Sequence, residues 1–221
     1  MREIKTPWGL LSPEVKLFPI YYLIFIYGFV YILPFGEYFV GSTWFKFLLK
    51  NEDGLFQWLQ FFQYFFASFI GFFIFIKNKK KNSLNSFIWL LFSMLCIFIA
   101  AEEISWGERI TGFSINALTK ISLQGETNLH NLPFFHNYFF SIIVQLVCIF
   151  FGWIGWKKFP HLNSLPHKKF SLFFLFTALF FAYYDISWAS TVEHIRDDQE
   201  IFETLLSTGI FLHFFDNLKK L

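Results

Sequence analysis

The chain has 221 residues, of which 55% are hydrophobic and 15% charged, with a mean hydropathy of +0.47 and a formal net charge of +2. That composition is too apolar for an ordinary soluble domain and predicts an all-α, multi-pass membrane bundle forming a single domain over 1–221. It carries no basic aromatic surface for nucleic acid, no Gly-rich phosphate loop and no nucleophile elbow.

The first apolar run, 17–36, follows Arg2, Lys5 and Lys16 but lacks a small-residue cleavage site, so it is expected to stay as a span rather than leave as a signal peptide. Trp44, Phe45, Phe47 and Leu48 then suggest a helix lying in the membrane interface. In the second run, 55–76, Asp53, Gln57, Gln60 and Tyr64 recur at i, i+4, i+7 and i+11 and form a polar stripe that must turn inward. Gln57 and Gln60 are candidate substrate-binding residues, with hydrogen bonding between helices as the plainer reading. Asp53 is placed to cap the helix.

The third run, 84–101, ends in Ala101-Glu102-Glu103-Ile104-Ser105-Trp106-Gly107-Glu108-Arg109, four charges within eight residues at the edge of a hydrophobic segment. Ionisable groups there cost free energy unless paired or wetted, which makes the stretch a candidate site. Glu102, Ser105 and Arg109 share a helical face, with Glu103, Trp106 and Gly107 on the neighbouring one. Adjacent carboxylates in low dielectric suit acid/base chemistry. The competing reading is a helix end in which Trp106 anchors the interface and Arg109 pairs with a Glu. Phe113, Ile115, Leu118 and Ile121 follow at near-helical spacing and predict a second interfacial helix.

Together with Gln124-Gly125-Glu126-Thr127-Asn128-Leu129-His130-Asn131, the stretch from Glu102 to Arg109 resembles a group of bacterial multi-pass membrane proteins with an E-E-I-S-W-G-x-R motif followed by Q-G-E-x-N-L-H-N. Glu108 stands where Gln is more usual in that group. The resemblance implies a bacterial inner (cell) membrane and carries no activity with it.

In the second motif Glu126 and His130 lie at i and i+4, with His136 beyond and Pro133 placed to start the fourth run, 138–156. His130, His136 and His194 are candidate ligands for a divalent metal, with a further carboxylate from elsewhere, although no H-E-x-x-H spacing is present. The alternative is that these residues hydrogen-bond helix ends. Cys96 and Cys148 fall inside apolar runs and read as packing residues.

The fifth run, 171–190, contains Asp185-Ile186-Ser187-Trp188, a weak echo of Glu103-Ile104-Ser105-Trp106 that hints at duplication. Asp185 needs a partner, and Arg109 and Arg196 are the available cations. A sixth span, 191–215, crosses only if its charged first half faces the bundle. The alternative is an interfacial helix.

Basic residues cluster before the first span, at Lys77 to Lys81, at Lys157 to Lys169 and at Lys219 and Lys220, which places both termini in the cytoplasm with about six spans. Of the 16 acidic residues only Glu3, Glu14 and Asp216 then lie inside. The unusual polar stretches therefore converge on the outer, periplasmic side, while the inner halves of the spans read as almost wholly Phe, Ile and Leu. The expected function is a membrane-embedded enzyme acting on a lipid or lipid-linked substrate, with Glu102, Glu103, Glu126, His130 and Asp185 as catalytic candidates. Ser105, Trp106, Arg109, Asn128, Gln57 and Gln60 are the substrate-binding candidates. A proton-coupled transporter and a structural assembly protein are the alternatives. The lipid bilayer is the expected partner and nucleic acid is not.

Overall fold

The structure, a computed structural model, describes residues 4–6, 9–11, 14–28, 54–78, 83–122, 125, 127–129, 132, 138–185 and 198–221. A small antiparallel ribbon, β1 (Ile4–Thr6) with β2 (Gly9–Leu11), precedes the helices and sets Ile4 opposite Leu11. Composition had predicted helices alone. The first helix, α1 (Glu14–Tyr27), carries Pro19 inside it. Proline removes one intrahelical hydrogen bond, which membrane helices tolerate when neighbours re-satisfy the backbone.

The helices α2 (Leu55–Asn78) and α3 (Ser83–Glu103) form the most extensive packing pair. With 24 residues α2 is about 36 Å long, enough to cross a hydrocarbon core of about 30 Å. Its buried face is Gln57, Gln60, Tyr64, Ala67, Ser68, Gly71 and Ile74, whereas Phe62, Phe66, Phe69 and Phe73 point outward. α3 repeats the pattern, exposing Phe87, Leu91, Met94 and Leu95 while burying Asn85, Ser86 and Ser93. A water-soluble helix has the reverse arrangement. An apolar exterior around a partly polar interior is what a lipid surround selects.

Two short turns, α4 (Glu108–Thr111) and α5 (Asn116–Thr119), follow α3. The expected interfacial helix through Phe113 to Ile121 is therefore not continuous: Gly112 ends α4 at φ 70° and the chain is irregular before Asn116. Its apolar residues Phe113, Ile115 and Ile121 are nevertheless exposed. The other expected interfacial helix, around Trp44, lies outside the described residues.

A further helical rod consists of α6 (Tyr138–Ile149), a π-helical segment Phe150–Ile154 and α7 (Gly155–Lys158). It is followed by α8 (Ser171–Tyr184) and α9 (Gln199–Leu218). Among the described residues three helical stretches, Leu55–Asn78, Leu84–Glu103 and Ser141–Lys158, are long and apolar enough to cross a membrane. The described part of α8 is shorter than the expected 171–190 run, and α9 combines 20 residues with charges at both ends.

α9 is the hub, lying against α2 on one side and α8 on the other, while α8 also packs on α6 and α1. Pairings fix the directions. The start of α2 meets the start of α9 through Gln60 and Glu200, so these two run parallel. α1 ends beside the start of α9, with the Tyr27 hydroxyl donating to Asp198 over 2.9 Å. Phe180 of α8 stacks on Phe202 of α9 at 4.2 Å, and Phe151 meets Phe174 edge-on at 5.5 Å. In chain order, the six longer helices among the described residues thus alternate in direction. One end of the bundle gathers the starts of α2 and α9 with the ends of α1, α3 and α8. The other holds Lys77, Lys157, Lys158, Lys169 and Lys220.

The middle is sealed by close packing. A Cβ on Gly71 would come within 2.6 Å of the Phe214 ring, and one on Gly209 within 2.7 Å of the Phe173 side chain, so each phenylalanine rests directly on the glycine and leaves no room for a side chain there. Trp89, Cys96, Ala100 and Phe214 fill one core around this layer, and Cys148, Phe170, Phe173, Phe174 and Leu205 fill another. Both cysteines are free and buried, as packing residues.

Candidate functional site

At the acidic end α3 does not continue through the charged motif. The helix stops at Glu103, and Ser105, Trp106 and Gly107 take φ angles of 48°, 55° and 91° in succession. Left-handed backbone is natural for Gly107 but costs on the order of 1–3 kcal/mol at each of the other two, so the surroundings must hold it. The expectation that Glu102, Ser105 and Arg109 share a helical face is corrected by this turn. It reverses the chain, and Trp106 Nε1 comes back to donate to the Glu102 carboxylate.

What holds the turn is the second motif. The Leu129 amide donates to Glu102 Oε2 at 2.8 Å, the Thr127 amide to Glu108 Oε2 at 2.7 Å, and Asn128 Nδ2 to Ser105 Oγ at 3.5 Å. Thr127 Oγ1 in turn accepts from the Ile115 amide at 2.9 Å. Glu102, Ser105, Thr127 and Asn128 are all buried. The two motifs that the sequence singles out are thus one interlocked unit, in which carboxylates serve as acceptors for backbone amides. Glu108 needs only an acceptor oxygen for its part, which a glutamine would also supply. Trp106 is 47% exposed and lies edge-on against Phe98, as an interfacial tryptophan does.

From this unit Arg109 reaches back to α2, donating through Nη1 to Gln57 Oε1. The inward polar stripe of α2 then continues against α9. Gln60 Nε2 donates to Glu200 Oε2 at 2.8 Å and to Thr204 Oγ1 at 3.1 Å. Gln63 Nε2 donates to Thr208 Oγ1 at 2.9 Å and its Oε1 accepts from Ser207 at 2.5 Å. Each such contact is worth about 0.6 kcal/mol in a membrane bundle. Glu103, the last residue of α3, is partly exposed and lies within electrostatic reach of Glu203, Glu200, Arg109 and Glu102. Glu203 accepts from Gln199 at 2.7 Å.

The sequence shows Glu200 and Glu203 as part of a charged run after Asp185 and does not single out Thr204, Ser207 or Thr208. Their spacing of i, i+3, i+4, i+7 and i+8 is itself a helical stripe matching the one on α2. The signal was present but was masked by the dense charges just before it.

Asp185 goes elsewhere. Its carboxylate accepts from Gln145 of α6 rather than from the expected arginine, and Arg109 is engaged with Gln57. Glu126, His130, His136, His194, Arg196 and the echo from Ile186 to Trp188 lie outside the described residues. Among the described residues no three His, Cys, Asp or Glu side chains are grouped so as to hold a metal ion. A cavity of about 410 Å³ lined by Phe73, Lys77, Asn78, Leu218 and Leu221 lies at the opposite, basic end, away from these carboxylates.

Comparison of the chain with protein-family models, with curated proteins and with solved structures finds no match.

Proposed function

We propose that this is a bacterial inner-membrane protein of about six spans, with both termini in the cytoplasm, whose periplasmic end is an enzyme site for a lipid or lipid-linked substrate. The single observation that carries the reading is Glu103. It sits at the mouth of the bundle among Glu102, Glu200 and Glu203, partly exposed, where the neighbouring carboxylates are tied to amides and glutamines. A carboxylate so placed is available for proton transfer to a bound molecule. Exposed Trp106, Ile110, Phe113 and Ile115 flank the same end, so a ligand arriving there comes along a lipid-facing surface.

The alternating helix directions and the gathering of basic residues at one end support six spans with the N- and C-termini inside. Proton-coupled transport is the second reading, favoured by the polar residues that continue down α9 through Ser207 to His213 and Asp216. The close approach at Gly71 and Gly209 lies between those two polar groups and favours a one-sided site over a through path.

Two experiments test this. Fusions of a reporter that fluoresces only in the cytoplasm should light up after Leu221 and near Lys80, and a dark fusion after Leu221 would overturn the topology. Glu103→Gln should keep stability in detergent within about 1 kcal/mol of wild type while losing the ability to complement a deletion strain. Full complementation by both Glu103→Gln and Glu102→Gln would make the polar end structural.

A further inference from the structure

At the basic end of the bundle Asp216 is occupied, one oxygen accepting from Lys169 and the other from Lys220. Lys157 in α7 and Lys168, in the 3-10 turn that leads into α8, are exposed and make no ion pair among the described residues. Both sit over one indole instead. The Lys157 ammonium lies 5.2 Å from the centre of the Trp156 ring and 4.9 Å from that of Trp153, and the Lys168 ammonium lies 5.4 Å from Trp156. The two charges are therefore no farther apart than their two distances to Trp156 laid end to end.

The ring between them is fixed. Trp156 Nε1 donates to the Gly152 carbonyl at 3.0 Å, and Gly152 is pressed so closely on Leu175 of α8 that a Cβ there would come within 2.8 Å of it. Packing of this rod on α8 thus brings together two lysines from separate segments. Like charges held near one another repel, and a ring face attracts an ammonium without supplying an oxygen for its three N–H donors. An anion with several oxygens satisfies both lysines at once.

The surface leading to the pair indicates what carries the anion. Ile142, Leu146, Ile149 and Trp153 are exposed on the same rod and approach Lys157 at successive steps of three or four residues. An acyl chain can lie along such a stripe with its phosphate at the lysine end. Tryptophan and lysine side by side also mark the headgroup level of a membrane helix.

We propose that Lys157 and Lys168, gathered on Trp156, bind the phosphate of an anionic phospholipid. The site requires the chain to lie in a membrane but does not depend on the enzymatic reading of the acidic end.

The test titrates the purified full chain in detergent with dihexanoyl phosphatidylglycerol, dihexanoyl phosphatidylcholine or inorganic phosphate, and thermal stabilisation reports binding. Phosphatidylglycerol should half-saturate the shift at a concentration about tenfold or more below that of phosphatidylcholine. Lys157→Gln and Lys168→Gln should each weaken it about fivefold, the effect of one lysine at an anionic surface. Both side chains are exposed, so the variants keep the fold. Lys158→Gln removes the same charge at the next position, which has no ring contact among the described residues, and should bind within about twofold of wild type. Equal responses to the two lipids, or a loss from Lys158→Gln as large as that from Lys157→Gln, would overturn the site. Inorganic phosphate as effective as phosphatidylglycerol would overturn the lipid as its occupant. Glu103→Gln should bind phosphatidylglycerol as wild type does, and a comparable loss there would move the lipid to the opposite end and overturn this site.

Discussion

The two ends of the bundle both carry polar side chains on α9, and they use them differently. At the basic end one carboxylate meets two cations: Asp216 accepts from Lys169 at 2.6 Å and from Lys220 at 2.7 Å. His213 is buried there, stacked on Trp89 with centroids 5.4 Å apart, donating from Nε2 to the Ser164 carbonyl at 2.9 Å and accepting from Asn217 Nδ2 at 3.2 Å. Asn85 Oδ1 accepts from the Ser164 amide at 3.1 Å, so the segment before α8 is clamped against both α3 and α9. At the acidic end Glu102, Glu103, Glu200 and Glu203 crowd near Arg109, and Glu103 is left without a hydrogen bond among the described residues. A carboxylate in direct contact with cations ties helices together. Carboxyl groups crowded at the mouth of a bundle around one arginine serve poorly as such a tie.

The largest effect that separates the ends is expected at the lock. Asp216→Ala leaves the mostly buried Lys169 without its acceptor, while burial already pulls that ammonium below its ordinary pKa against the Asp216 bond. Loss of about 3 kcal/mol of stability should follow, read as a lowered melting temperature in detergent. A loss as small as that of Glu103→Gln would erase the contrast.

A smaller cost belongs to the acidic end's backbone. Gly107 at φ 91° has open space where a Cβ would go, so Gly107→Ala is opposed by conformation alone and should destabilise by about 1 kcal/mol. Because the turn carries Trp106 back to Glu102, the same variant should shift the tryptophan emission. An unchanged spectrum and melting curve would mean that the turn is not held in this form.

Lys220→Ala sharpens the comparison within the lock. Its side chain is 52% exposed and pairs with Asp216 at i, i+4, so only a few tenths of a kcal/mol should be lost, far less than from Asp216→Ala. Equal losses would mean that the outer lysine, and not Lys169, holds Asp216.

The smallest effect is a pH dependence. Burial, then the neighbouring Lys169 and Lys220, hold exposed His167 below its ordinary pKa of 6.5. Below that value the unfolded chain binds the proton more readily than the folded one, so stability should fall as pH drops through 6.5. His167→Gln should flatten the melting temperature slightly between pH 8 and pH 5.5. An identical slope would assign the acid sensitivity to other groups.

The sequence by itself determined the helical, lipid-facing character, because hydrophobic runs of about 20 residues admit few other solutions. It also marked the polar stripe of Gln57, Gln60 and Tyr64, since a helical repeat fixes which residues share a face. It located both motifs, Glu102 to Arg109 and Gln124 to Asn131. What it could not decide was who meets whom. That Glu102 and Glu108 accept amides from the second motif depends on a left-handed turn at Ser105 to Gly107, and a helical projection continues straight through that point. That Gln60 and Gln63 find Glu200, Thr204, Ser207 and Thr208 depends on α2 and α9 running side by side, more than a hundred residues apart in the chain. Asp185 turned to Gln145 instead of an arginine for the same reason: periodicity reports the face a residue occupies, and only packing supplies the neighbour.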